Sequence, residues 1–354
     1  MSSTKTTVEL RYLGTRGVHL LVQNRMGRVP KVTPTRFLPT YLQAPSQATL
    51  DALPFTLAQL KAIPNNPVLG PLGFTSKVTW WPPTGDSTYH GLALQVTKRF
   101  THGLQMVGAY TWSHAIDDAT ATHFSTVLTP RREQDFANVG LDKSSSALDR
   151  RHRLTLSWLY DTPWFSHSDH WLVKNGIGNW TFAGTYTVES PEYVTVQSGV
   201  DSNLNGDTAG DRAIINTSGV ADTGSDATPL KNSSGATVAY LAVDPNARYI
   251  KAQPGALATD SRNSLRTRGI NNFDLSLGKK FNITESKTLE FRGDFTNAFN
   301  HPQYTPGLIS SIYYTTYNTG VRDYLIPGNA RFAKWDQVFN SHSRMTQLAV
   351  RFVF

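Results

Sequence analysis

The last ten residues, Met345–Phe354 (MTQLAVRFVF), alternate without a break and end on an aromatic. Successive side chains of a strand point to opposite sides, so Leu348, Val350, Phe352 and Phe354 share one face while Gln347, Ala349 and Arg351 share the other. An apolar-faced strand ending in Phe is what closes an outer-membrane β-barrel. In isolation it also suits the edge of a soluble sandwich, though the membrane reading is favoured, and the residues upstream decide.

Seven further segments have the same period of two at membrane length. Lys5–Leu13 sets Val8, Leu10 and Tyr12 against Thr7, Glu9 and Arg11. Tyr89–Phe100 and Leu104–Ser113 follow, with Leu92, Leu94 and Val96 on one face of the first and Met106, Tyr110 and Trp112 on one face of the second. Arg151–Asp161 aligns Leu154, Leu156, Trp158 and Tyr160, and Asn179–Glu189 aligns Trp180, Phe182, Tyr186 and Val188. Asn271–Phe281 aligns Phe273, Leu275 and Leu277, and Thr288–Phe299 aligns Leu289, Phe291 and Phe295. Strand-forming residues dominate all of them.

The connections alternate in length. Thr101–Gly103 and Asn282–Lys287 are tight turns and Thr162–Gly178 is moderate, whereas Thr15–Thr88, Ala115–Arg150, Ser190–Gly269 and Asn300–Ser343 are long and rich in Gly, Pro, Asn and Ser. A membrane barrel has this asymmetry, with short periplasmic turns and long outer loops, and the strand parity puts all four long loops at one end. Phe100, Trp112, Tyr160, Trp164, Trp180 and Phe281 lie at strand ends, where barrels carry aromatic girdles. The expected fold is therefore all-β: an antiparallel up-and-down transmembrane β-barrel segment of about eight strands with long extracellular loops. Within the first loop, Leu50, Leu53, Leu57 and Leu60 predict a surface helix over Ala48–Ile63.

The totals agree with this reading. The 354 residues are 39% hydrophobic and 17% charged. No stretch approaches the roughly 18–20 apolar residues of a membrane helix, but a barrel strand needs only about 9–11 with every second one apolar. There is no cysteine, which excludes disulfides, thiolate metal sites and a cysteine nucleophile. The net charge of +8 comes from scattered Lys and Arg with no basic run, so nucleic acid is not an expected partner. The opening MSSTKTTVELRYLG has no apolar h-region. A barrel protein must be exported, so the true beginning is expected to lie upstream of this chain.

Chemistry-bearing motifs are sparse. No nucleophile elbow, phosphate-binding loop or H-E-x-x-H occurs, and Gly176 and Gly178 make only a G-x-G in a turn. His167 and His170 have chelating spacing but sit in a stretch with Pro163 and no helical period, which reads as a solvated turn. Asp201-Ser-Asn203-Leu-Asn205-Gly206-Asp207 copies the opening of a calcium loop. Its twelfth position is Arg212 instead of a bidentate Glu, and Asn, Asp and Gly also build turns without metal. Asp117/Asp118 and Glu290/Asp294 are carboxylate pairs without an acid–base mark; Glu290, Arg292 and Asp294 are expected to neutralise one another in a wet lumen. No catalytic, cofactor or metal residue is assigned, and no enzyme is expected.

Several long strings together resemble a known family. YHGLALQVTKRFTHGLQMVGAYTWSHAIDDA (Tyr89–Ala119), DRRHRLTLSWLYDTP (Asp149–Pro163), QSGVDSNLNGDTAGDR (Gln197–Arg212), RNSLRTRGINNFDLSLGKKF (Arg262–Phe281) and LEFRGDFTNAFNHPQY (Leu289–Tyr304) resemble the barrel of Oar-like TonB-dependent outer-membrane receptors. The resemblance runs from RYLGTRG (Arg11–Gly17) to Phe354 and implies residence in the Gram-negative outer membrane. It further implies a barrel of about 22 strands with a plugged lumen, importing a ligand with energy from the TonB complex. On that pattern residues 1–354 form the C-terminal part of a receptor barrel, without plug or TonB box. The expected partners are outer-membrane lipid, the barrel-assembly machinery through Leu348, Val350, Phe352 and Phe354, an unknown small ligand, and the TonB complex where a plug is present. The first and last strands would pair with strands outside the chain, which predicts an open curved sheet instead of closure of Val8 onto Val350. A stand-alone porin-like or adhesin-like barrel is the alternative, and a secreted carbohydrate-binding sandwich using Trp80 and Trp81 is another.

Overall fold

The computed structural model describes residues 5–120, 130, 132–165, 168–284, 286–304, 323–336 and 343–354. One antiparallel sheet follows the chain order through eight strands: β1 (Thr6–Leu20), β2 (Gly85–Thr101), β3 (Leu104–Asp117), β4 (His152–Asp161), β5 (Trp180–Glu189), β6 (Ile270–Asn282), β7 (Thr288–Thr296) and β8 (Met345–Val353). A short ninth strand, Ser144–Ser145, pairs with the end of β3 off this path. β1 and β8 stand at opposite edges, each with one pairing partner among the described residues, so the sheet is open, as expected.

Register makes the apolar faces coincide from strand to strand. Val8, Leu10 and Tyr12 oppose Val96, Leu94 and Leu92; Leu94 and Leu92 then oppose Tyr110 and Trp112. Leu156 opposes Tyr186, Tyr186 opposes Phe273, and Phe291 opposes Val350. Directly opposed residues of an antiparallel pair lie on one side, so a single apolar face crosses all eight strands. Gly184 interrupts it for a reason. Its Cβ would lie 2.6 Å from Trp158 Cζ2, because the Trp158 ring crosses this position to meet Phe273 edge-on at 6.1 Å.

The opposite face is polar and internally paired. Arg292 binds Asp294 at 2.9 Å, as the spacing predicts. Glu290 instead pairs across strands with Lys280 at 3.3 Å and Arg351 at 4.0 Å, since those residues are its register partners.

The strand bounds differ from the periodicity at several ends. β1 continues past Leu13 to Leu20, so the first connection begins later than Thr15. β3 likewise runs on to Asp117. β7 stops at Thr296 instead of Phe299, because Asn297 and Asn300 turn left-handed at φ 47° and 52° and Asn297 caps the turn by accepting from His301 N. The β2–β3 hairpin closes through His102 and Gly103, both at positive φ, the geometry that suits the twist of a two-residue turn. The predicted helix is two: α1 (Gln47–Asp51) and α2 (Leu57–Ala62), split at Pro54, with Thr56 and Gln59 forming a capping box on α2. The moderate connection contains α3 (Trp171–Gly176), which its lack of helical period did not predict.

The hydrophobic core lies outside the sheet. Among the described residues, every buried hydrophobic side chain belongs to the long connections and none to the eight strands. One cluster gathers Val194, Val196, Tyr249, Leu265, Tyr324 and Trp335. A second joins Leu38, Leu60, Leu204, Tyr240 and Ile250, bringing the first and third long loops together. Small sheets support them: Ala227–Lys231 pairs with Thr237–Ala242, which also pairs with Thr40–Tyr41. The long loops are thus a folded layer at one end of the sheet.

Candidate functional site in the loop layer

A cleft of about 550 Å³ opens in this layer between residues 29–34, 134–141 and 256–261. Val29, Pro30, Val32 and Leu257 supply apolar wall, while Gln134, Asn203, Arg212 and Asp260 place polar groups in it. A concave, largely apolar site with a few fixed polar groups is the common form of a small-molecule site.

The polar groups are held by long-range bonds. Arg212, nearly buried, donates from Nε to Gln134 Oε1 at 2.7 Å and from Nη1 to Asp142 Oδ1 at 3.0 Å. Arg262 donates to the Asp142 carbonyl at 2.8 Å and to both the carbonyl and carboxylate of Asp117, at the end of β3. Burial pushes the Asp142 carboxyl up, against the pull of Arg212 and Arg262. Asp260 accepts from Ser264 Oγ at 2.6 Å and Ser261 N at 2.9 Å, yet burial raises it to about 6. Glu133 is 1% exposed, and burial raises its carboxyl to about 7.

The Asp201–Asp207 loop closes on itself. Asp201 accepts from Asn205 N at 3.0 Å and Gly206 N at 2.8 Å, and Asn205 Oδ1 accepts from Asp207 N at 2.7 Å. Asp207 in turn accepts from Arg25 Nε at 3.2 Å and Arg132 Nη2 at 2.9 Å. Burial alone would raise Asp207, but the Arg132 contact holds it below the ordinary carboxylate range. Arg212, at the twelfth position, faces Asp142 instead of a cation site. Among the described residues no three His, Asp or Glu side chains converge as a metal site.

Other sequence candidates are dispersed. Asp117 binds Arg262 and Ser146, whereas Asp118 accepts from Asp86 N at 2.8 Å, so the adjacent carboxylates serve separate contacts. His170 precedes α3, so that stretch is not a plain turn, and His167 lies outside the described residues. Gly176 and Gly178 present carbonyls to Lys279 Nζ. Trp80 pairs, through its strand, with Asn24. Leu348, Val350 and Phe352 lie on the apolar face at the β8 edge, and Phe354 follows, stacked on Phe352 at 5.9 Å. The cleft itself was not legible in the sequence; its one advance signal was the concentration of Asp, Asn and Arg in Gln197–Arg212.

A sheet with one apolar face across eight strands and, among the described residues, no buried hydrophobic side chain on it, carrying a folded layer of long loops at one end, has the form of an outer-membrane β-barrel protein. The chain matches the family described as outer membrane beta barrel domain over residues 2–322, and it belongs to that family. Its place is the outer membrane. Among solved structures it is similar to the outer membrane transporter YddB from Escherichia coli, at 8% identity and a TM-score of 0.32, over 99% of this chain and 30% of that one. No curated protein matches the chain.

Proposed function

We propose that this chain is part of a TonB-dependent receptor barrel of the Oar-like kind, which captures a ligand in its outer loop layer for uptake across the outer membrane. The single observation that carries the proposal is the division of the molecule. Among the described residues the eight strands bury no hydrophobic side chain, while the long connections build a packed layer that contains a cleft. On this reading the short turns face the periplasm, the long loops face outward, and residues 1–354 supply the C-terminal strands of a larger barrel. The open edges at β1 and β8 support that placement, since unpaired backbone groups in lipid cost several kcal/mol each. The work is binding and transport and not catalysis. Leu348, Val350, Phe352 and Phe354 address the barrel-assembly machinery, and coupling to the TonB complex requires a plug.

The mass of the native polypeptide in the outer-membrane fraction, detected with an antibody against the 190–269 loop, tests this reading. A species far above 39.2 kDa that retains the periplasmic domain of TonB is the expected result. A species at 39.2 kDa that retains none would replace it with a passive pore or an adhesin.

A further inference from the structure

The connection between β4 and β5 holds an apolar surface that the strands do not account for. Trp164, Phe165, Trp171, Leu172 and Ile177 are all more than half exposed, Leu172 at 76%. These residues lie at the short-turn end, in and around α3, where the chain need only reverse direction.

Lys279 fixes which side of the sheet α3 occupies. In register it stands opposite Trp180 on one flank and Phe291 on the other, so its side chain leaves from the apolar face. Its ammonium sits 4.7 Å from the Trp180 ring centroid and 5.4 Å from that of Phe281. It donates to the Gly176 carbonyl at 3.1 Å and to that of Gly178, the carbonyls at the end of α3. The end of α3 therefore rests on the apolar face and not beneath the polar one. Lys279 is 6% exposed there, its charge met by the helix C-terminus, whose partial negative charge suits a cation. Asn175 and Asn282 add a reciprocal pair, Asn282 N donating to Asn175 Oδ1 at 2.8 Å and Asn175 Nδ2 to the Asn282 carbonyl at 3.3 Å. Trp171 Nε1 reaches the same carbonyl at 3.3 Å.

We propose that residues 164–165 and 168–177 form an interfacial foot that lies in the phospholipid leaflet at the short-turn end, with Trp171 and Leu172 at the boundary between headgroups and acyl chains. The occupant is phospholipid because the foot continues the lipid-facing side of the sheet: Trp180 and Phe281, the rings beneath Lys279, belong to that face. Tryptophan, with an apolar body and one N–H, suits this boundary. The foot rests on the transmembrane reading of the sheet.

The chain has no cysteine, so a single thiol can be placed anywhere. Spin labels at Leu172→Cys, Leu94→Cys and Ser234→Cys are compared in the full chain reconstituted in phosphatidylethanolamine/phosphatidylglycerol vesicles, by collision with oxygen and with a water-soluble nickel chelate. The expected oxygen-to-nickel ratio at position 172 lies well above that at 234, on an exposed loop, and below that at 94, in mid-strand. A lipid-like ratio at 94 with a water-like one at 172 overturns the foot alone. Low collision with both reagents at 172 means a protein cover and also overturns it. A water-like ratio at both 94 and 172 removes the spanning sheet and the foot together.

Discussion

Arg262 and Asp117, 145 residues apart, are bound twice: the guanidinium donates to the Asp117 carbonyl at 2.5 Å and also to its carboxylate. Asp117 is the last residue of β3 and Arg262 belongs to the third long loop, so this pair fastens the loop layer to the sheet. Both side chains are nearly buried. Removing one partner of a buried pair strands the other, at a cost of about 3–5 kcal/mol. Arg262→Leu is expected to loosen the loop layer while the strands stay in place. Limited proteolysis should cut within 190–269 sooner than in the parent, and an unchanged cleavage rate would count against the latch.

Glu133 gives the loop layer a pH dependence. Its folded-state value of about 7 lies above the ordinary 4.5, so the folded protein holds more protons than the unfolded chain between those values. Stability therefore falls as pH rises from about 4.5 to 7, by about 3 kcal/mol for this group. Asp260, raised to about 6, acts in the same direction over a narrower range. Glu133→Gln should reduce this slope by its own share and leave the part owed to Asp260 and Asp211, as read from loop proteolysis or denaturation at pH 5 and pH 7.5. A slope left unchanged by the substitution assigns the effect elsewhere.

Opposite faces of one strand should respond differently to the same charge. Leu94→Arg puts a cation on the apolar face in mid-strand, at about 2–4 kcal/mol, whereas Gln95→Arg puts it on the polar face at little cost. Folded yield in lipid vesicles is the measurement; equal losses would contradict the assignment of faces.

Gly184 is expected to tolerate no side chain. A Cβ there would meet Trp158 at 2.6 Å and the Asp274 carbonyl at 2.8 Å, and the second of these is backbone. Gly184→Ala should cost about 1–3 kcal/mol and disturb the Trp158 ring, visible as a change in near-ultraviolet circular dichroism. Wild-type stability in this variant would mean that β4 and β5 are less closely apposed.

Phe354 is 90% exposed and stacks on Phe352, so it contributes little to the packing of the sheet itself. Phe354→Asp should leave folding in detergent near the parental level and reduce the amount reaching the outer membrane. Unchanged membrane yield would separate this residue from assembly.

The strands were legible because a sheet wetted by lipid on one side and water on the other writes period two into each segment. Leu92, Leu94 and Val96 could be placed on a face without knowing any neighbour. The ends were less legible: β1 runs on through Gly14 and Gly17, which carry no facial signal, and is held by pairing with residues 85–91. The loop core was illegible for a different reason. Leu38, Leu204, Tyr240 and Ile250 meet from distant parts of the chain with no shared period. Nor does a short helix such as α3 show itself in six residues when side-chain bonds to Asn282 and Lys279 hold it in place.

The ties of the loop layer also inspect the strands beneath them. Arg262 reaches Asp117 at the end of β3, and Arg150 joins the end of β5 through Glu189 at 2.8 Å. A slip of one residue in any strand pairing turns that strand's side chains to the other face and shifts its end by about 3.3 Å. Such a slip would pull these charged partners out of reach. The shape of the loop surface is thus a record of register in the strands beneath it, and an antibody fragment raised to the folded layer would sort correctly aligned molecules from misaligned ones.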